Sequence, residues 1–335
     1  VMDVFGNDIL IESKIIGRVQ VSDKQLGDYQ LKYGDVLFNR TSETFEEIAM
    51  AAVYLDNAVA TFGGFVIRGR PKSNEISPDF SAFLFQASGF RTQAIKLGQG
   101  AVRSNIGQKD LAKVSILVPP IREQKKIAQV LSTWDKAIAT TEKLLANSQQ
   151  QKKALMQQLV TGKKRFPEFE GEWKKIKLAA VADMNSGGTP RSSIEEYYNG
   201  GIPWVSIADM TSKGKWIYST DKTLSEKGLE NSSARLYPEN TILYAMYASI
   251  GECSIARVPL CSSQAILGIR PKKELHYEYL YFFLSSMKEK IKLQGQQGTQ
   301  SNLNAGMVKD FIINLPSIEE QKIISSVLNL SDQEI

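Results

Sequence analysis

Residues 122–160 read REQKKIAQVLSTWDKAIATTEKLLANSQQQKKALMQQLV. Within this run Ile127, Leu131, Trp134, Ile138, Leu145, Leu155 and Leu159 fall on one frame of alternating four- and three-residue steps, which also passes through Thr141, Ser148 and Lys152. A 3.5-residue repeat keeps one stripe turned toward one partner helix, the seam of a coiled coil. Pro119-Pro120 precedes the run, Gly162 follows it, and neither Pro nor Gly interrupts it. Proline suits a first helical turn and glycine suits the residue past the last. A helix of this length spans roughly 55–60 Å, far longer than one compact domain uses. It must separate two things.

Working outward, 335 residues suggest two or three domains, each able to bury its own core. A hydrophobic fraction of 42% and a charged fraction of 23% are those of an ordinary globular chain. No apolar run reaches membrane-spanning length and no leader pattern opens the chain, so a cytoplasmic protein without a membrane partner is expected. The net charge of +5 is uneven: residues 119–172 and 173–315 each carry an excess of +4, residues 1–118 balance, and residues 316–335 carry −3. The basic excess on the helix and beyond suits a polyanion, or simply a solvated helix with a basic end. One histidine and two cysteines, Cys253 and Cys261, are too few for an ordinary zinc site. No metal and no cofactor are expected.

The chain then repeats itself. Ser104-Asn105, Pro119, Ile121, Glu123-Gln124-Lys125, Ile127, Val130-Leu131, Asp135 and Ile138 recur 197 residues later as Ser301-Asn302, Pro316, Ile318, Glu320-Gln321-Lys322, Ile324, Val327-Leu328, Asp332 and Ile335. Ile324, Leu328 and Ile335 continue the seam in the second copy. Upstream, the stretch 33–38 faces 237–244, and Ile67-Arg68 faces Ile269-Arg270. In the first copy, strands are expected at 35–38, 51–54, 65–68 and 113–118, and a helix at 78–96. A period near 200 is too long for a solenoid; it is a duplicated α+β module. Val1 falls opposite about Val205, so the first copy is expected to lack roughly thirty N-terminal residues that the second copy has. The last helix stops after its first seam positions, so the residues given are expected to be part of a longer protein or shortened at both ends.

Pro119-Pro120-Ile121-Arg122-Glu123-Gln124-Lys125, the run 155–166, Leu315-Pro316-Ser317-Ile318-Glu319-Glu320-Gln321-Lys322 and Gly187-Gly188-Thr189-Pro190 occur in an order that resembles the specificity subunits of type I restriction–modification enzymes. The resemblance covers essentially the whole chain. It implies two similar globular target-recognition domains separated by long helices that pair as an antiparallel coiled coil. The division would be 1–118, 119–172 (central helix and linker), 173–315 and 316–335 (distal helix). It also implies recognition of a bipartite, asymmetric site in double-stranded DNA, docking of methyltransferase subunits, and a motor-nuclease subunit for restriction. A coiled-coil scaffold that presents two protein-binding domains without reading DNA is the alternative.

Catalytic signatures are missing. No Gly-x-x-x-x-Gly-Lys phosphate loop and no helix-opening Gly-x-Gly-x-x-Gly occur. Val118-Pro119-Pro120-Ile121 lacks the polar and aromatic ends of an amino-methyltransferase loop, and helix entry explains it. His276 stands alone, and the cysteines read as small buried hydrophobes. No residue is assigned a catalytic role.

Recognition needs Arg, Asn, Gln, Ser and Thr on rigidly held loops. Gln99, Arg103, Ser104 and Asn105 form one such loop; Gln297, Thr299, Gln300, Ser301 and Asn302 form its counterpart. Thr189, Arg191 and Ser192 follow two glycines that read as a flexible backbone for phosphate or base contact. Arg40 with Thr41, and Tyr247, follow matching strands. Ser206 sits beside Trp204, which reads more readily as core. These residues are the DNA-binding candidates, and Lys163-Lys164-Arg165 is read equally as a phosphate grip or a helix end.

Overall fold

The structure, a computed structural model, describes residues 1–100, 103–296 and 303–333. It divides into two compact units, Val1–Glu142 and Lys143–Ile335. One helix, Ile121–Val160, runs from the first into the second. Its start follows from the proline pair: the Pro120 carbonyl accepts from the Glu123 and Gln124 amides at 2.8 and 3.0 Å. Its end follows from Gly162, whose φ of +73° is open to glycine.

In the first unit a four-stranded sheet runs in the order Ile9–Leu10, Ala51–Tyr54, Val36–Asn39, Val66–Gly69. Val36, Phe38 and Val53 join Phe90, Ala94 and Ile106 on one face. Leu37, Ala52 and Tyr54 join Val4, Leu10 and Leu31 on the other. Both faces are covered, so the strands read as continuous apolar runs rather than alternating ones. The helix expected at 78–96 is broken into Pro78–Leu84 and Ser88–Leu97. At the break Phe85 sits edge-on to Phe38 and Phe90, with ring centroids 4.9 and 5.1 Å apart. Such aromatic pairs contribute about 0.5–1.5 kcal/mol each beyond area burial, which offsets the interrupted ladder.

The second unit repeats this sheet and adds a strand: Trp216–Ile217, Cys253–Ala256, Ile242–Ala245, Ile266–Pro271, Ala182–Ser186. The registers match. Val36 faces Val53 and Gly69, as Ile242 faces Ile255 and Ile269. Phe38 faces Ile67 as Tyr244 faces Leu267, so the sequence match of Ile67-Arg68 with Ile269-Arg270 is two residues out. A slip of two keeps each side chain on its face, and the apolar pattern therefore hid it. The expected strand at 113–118 is also corrected. Its counterpart Ile312–Leu315 pairs antiparallel with Lys174–Lys177, and no described residue of the first unit supplies that partner.

The hairpin that follows Val36–Asn39 closes in the same way in both units. The Asn39 amide donates to the Met50 carbonyl and the Ala49 amide to the Asn39 carbonyl, at 2.8 and 3.1 Å. Ala245 and Glu252, then Gly251 and Ala245, repeat these bonds at 2.9 and 3.0 Å. Ala49 and Gly251 both take positive φ, +53° and +80°. Only the tips differ: residues 40–48 in one, 246–250 in the other.

Within the second unit the far end of the long helix lies antiparallel to the distal helix Ile318–Gln333. Lys152 pairs with Asp332 and, thirteen residues on, Arg165 pairs with Glu320 at 2.9 Å, so numbers rise on one side as they fall on the other. Leu155 packs partly buried beside Leu159, Ile324 and Leu328, which are fully buried there. Ile335 lies outside the described residues. Toward the near end Ile127 and Ala128 pack on Phe80 and Leu84. Leu131, Trp134, Ile138 and Leu145, however, are 38, 64, 55 and 44% exposed. Trp134 is thus not core packing in this chain, because no described helix covers that part of the seam. No helix among the described residues is long and apolar enough to cross a membrane.

Candidate nucleic-acid interface

In the first unit six candidates come together at one end of the sheet. Thr41–Ser42 and Ser104–Asn105 pair as a two-residue antiparallel ladder, Thr41 opposite Asn105 and Ser42 opposite Ser104. Gln99 and Asn105 exchange both backbone bonds, 2.9 and 2.7 Å, and the Ile106 amide donates to the Arg40 carbonyl at 3.0 Å. The Thr41 hydroxyl donates to Asn105 Oδ1 at 2.7 Å, and Asn105 Nδ2 donates to the Arg103 carbonyl at 3.1 Å. Gly100 holds the loop shut: its φ is +125°, and a Cβ would lie 2.1 Å from the Arg103 carbonyl oxygen. Asn105 and Thr41 therefore brace the loop. Ser104 is 2% exposed and faces inward. Arg40, Gln99 and Arg103 are left exposed, and neither arginine forms an ion pair with a described residue. The neighbouring tip is itself tethered: Ser42 Oγ donates to Glu47 at 2.7 Å, and Arg91 donates to the Ile48 and Glu46 carbonyls at 2.8 and 2.5 Å.

The second unit builds the same end. Its Leu303 amide donates to the Met246 carbonyl at 3.2 Å, the counterpart of Ile106 to Arg40. Tyr247, 41% exposed, then occupies the place of Thr41. Gln297, Thr299, Gln300, Ser301 and Asn302 lie outside the described residues. The loop of Thr189, Arg191 and Ser192 leaves the added strand at this end, and the Thr189 hydroxyl is hydrogen-bonded to Gln264, two residues before strand Ile266–Pro271. No pattern in the sequence marks Gln264.

One expectation about this loop changes. Gly187 and Gly188 are buried within the protein rather than offered as flexible backbone. A Cβ on Gly187 would fall 2.3 Å from the Ser262 carbonyl oxygen, and one on Gly188 2.3 Å from the Ala234 amide nitrogen. Trp204 Nε1 donates to the Gly188 carbonyl at 2.9 Å, and Trp204 is 7% exposed, so it is core. Gly188→Ala is therefore expected to lower the stability of the second unit by about 1–3 kcal/mol, the usual cost of overpacking. Ser193→Ala, on the exposed side of the same loop, should stay within about 0.5 kcal/mol in the same melting experiment.

Ser206 has a local duty. It caps helix Ile207–Lys213: its hydroxyl donates to Asp209 at 2.6 Å and accepts from the Asp209 amide. Burial raises the Asp209 pKa, but bonds from Ser206, the Asp221 amide and Lys213 outweigh it and hold the carboxyl below its usual range. Arg165 likewise is drawn into structure. It donates to both oxygens of buried Glu320, at 3.0 and 2.9 Å, and to the Gly171 carbonyl at 2.6 Å. Lys163 and Lys164 remain exposed.

Nucleophilic chemistry finds little footing. Cys253 and Cys261 are free and buried, and burial pushes the Cys261 thiol up to about 11 and the Cys253 thiol up as well. A thiol held in that form is inert. Burial lowers the His276 pKa, and its backbone amide is bound to Gln321 at 2.7 Å. No cluster of metal-binding side chains occurs among the described residues.

The two sheet ends, closed by equivalent backbone bonds and carrying different exposed side chains, can be set beside known proteins. The family model described as "Type I restriction modification DNA specificity domain" matches residues 4–147 and again 170–335. A Methanocaldococcus jannaschii chain named as the MjaX specificity subunit is 26% identical over 97% of this chain and 78% of its own length. The EcoR124I/EcoR124II specificity subunit of Escherichia coli is 28% identical, over 68% of this chain and 57% of its own. In fold, the HsdS subunit from Thermoanaerobacter tengcongensis superposes with a TM-score of 0.52 at 19% identity, over 91% of this chain and 74% of that one. With the family model matched in both halves, the chain belongs to the type I restriction–modification DNA specificity family, and its part is recognition rather than catalysis.

Proposed function

We propose that each unit reads one half of a bipartite site in double-stranded DNA, with the long helices acting as the spacer between half-sites. The observation that carries this reading is the duplicated end: one scaffold, closed by the same backbone bonds, presents Arg40, Gln99 and Arg103 in one unit and Tyr247, Arg191 and Ser192 in the other. Sequence-specific contact belongs to positions where the units differ, so the half-sites differ too. Residues 1–118 and 173–315 serve as the target-recognition domains, and 119–172 with 316–335 as the spacer. Methyltransferase subunits dock on the chain, and a motor-nuclease subunit joins for restriction, in the cytoplasm where the DNA lies.

Footprinting of the assembled complex on random DNA tests the reading. Two protected half-sites of unlike sequence are expected; a complex that assembles but protects nothing would make the chain a protein-binding scaffold. Phosphate contacts are screened by salt through counterion release. Arg40→Ala and Arg103→Ala are each expected to lower the slope of log K against log salt by about 1. Tyr247→Ala is instead expected to relax preference in one half-site only.

A further inference from the structure

Gln124 and Gln321 are the same residue in the two copies of the Glu-Gln-Lys motif, and both are fully buried. Gln124 Oε1 accepts from the Ser77 amide at 2.8 Å, and Nε2 donates to the Glu75 and Pro119 carbonyls at 2.7 and 2.8 Å. Gln321 repeats all three bonds. Its Oε1 accepts from the His276 amide at 2.7 Å, and its Nε2 donates to the Glu274 and Pro316 carbonyls at 2.9 and 3.0 Å.

The places joined are informative. Ser77 is the N-cap of helix Pro78–Leu84, and His276 immediately precedes helix Tyr277–Gln296. In the chain these helices, in the first unit with Ser88–Leu97 after them, are followed directly by the candidate residues at 99–105 and 297–302. One carboxamide thus ties the first turn of a spacer helix to the base of the helix that carries a candidate recognition loop. All three of its partners are backbone atoms, so the tie is independent of side chains that vary between the units. Reversing the amide would set donor against donor at Ser77 and His276, so its orientation is fixed.

We infer that Gln124 and Gln321 are positioning residues: each sets the angle at which its recognition domain is mounted on the spacer helix, and together they set the permitted spacing between half-sites. This rests on the bipartite reading above. The chain would be expressed with its methyltransferase subunits over a library in which the two half-sites are separated by every spacer near the preferred one, and methylation read by sequencing. Gln124→Ala and Gln321→Ala are each expected to raise modification at spacers one base pair too long or short, relative to the preferred spacer, by about tenfold, with half-site bases unchanged. Gln124→Met, which keeps the volume without the bonds, carries the same test if the alanine variants do not accumulate. Ile67→Ala, a core truncation away from the joint, should lower total modification and leave the spacer ratio where it was. A ratio that moves no more in the glutamine variants than in Ile67→Ala overturns the inference. Should the unaltered complex show no preferred spacer, the bipartite reading itself falls, and the mounting role with it.

Discussion

Excision of residues 136–149 is expected to abolish modification at the native site while leaving both units folded. Those fourteen residues are exposed or half-buried along the helix, so their loss removes little packing. Two heptads shorten the spacer by about 21 Å, close to six base pairs of duplex. Six base pairs are more than half a helical turn, so two half-sites at the native separation would no longer be met together. Losing the linkage between two sites removes about 100-fold or more in avidity. Methylation-sensitive sequencing checks this directly: sites that remain modified should carry an altered spacer. Full modification at the old spacer would show that the helix is not the ruler.

The second large effect separates two leucines at the same place in the repeat. Leu328 is fully buried against the far end of the long helix, whereas its counterpart Leu131 is 38% exposed and lines an open apolar groove with Phe80, Phe83, Leu84 and Ile127. Leu328→Ala should cost about 2–5 kcal/mol through lost burial and the cavity left behind. Leu131→Ala should cost the isolated chain less than about 1 kcal/mol. Denaturant unfolding followed by circular dichroism measures both. Equal costs would mean that Leu131 is covered in solution and that the exposed seam has found a partner.

Much of the fold could be read from residues alone, for identifiable reasons. The long helix announced itself because its breakers lie only at the ends, and the duplicated Glu-Gln-Lys segments aligned without gaps. Strands 36–39 and 51–54 showed as apolar runs because both sheet faces are covered. Other features depended on partners that no local pattern contains. Residues 113–118 have the composition of a strand but pair with no strand among the described residues. The helix from 78 breaks for an aromatic contact with Phe38, forty residues earlier. Trp134 carries a seam position whose packing is decided by what lies alongside. The candidate loops were found by polarity, but which side chains brace them was not: Thr41 and Asn105 bond to each other, Ser206 caps a helix, and Gly187-Gly188 is wedged inside.

The hairpin tips bear on how new specificities arise. Residues 40–48 and 246–250 are loops of unequal length closed by the same backbone bonds, between Asn39 and Met50 and between Ala245 and Glu252. Closure entropy grows only slowly with length, about 0.6 kcal/mol per doubling. Length changes among the exposed residues 43–46 of the longer tip therefore cost little in folding, whereas buried Ile48 and the Thr41–Ser42 ladder stay fixed. On the reading proposed above, a lineage would change the sequence it protects by lengthening or trimming one tip while inheriting the rest of the machine unaltered.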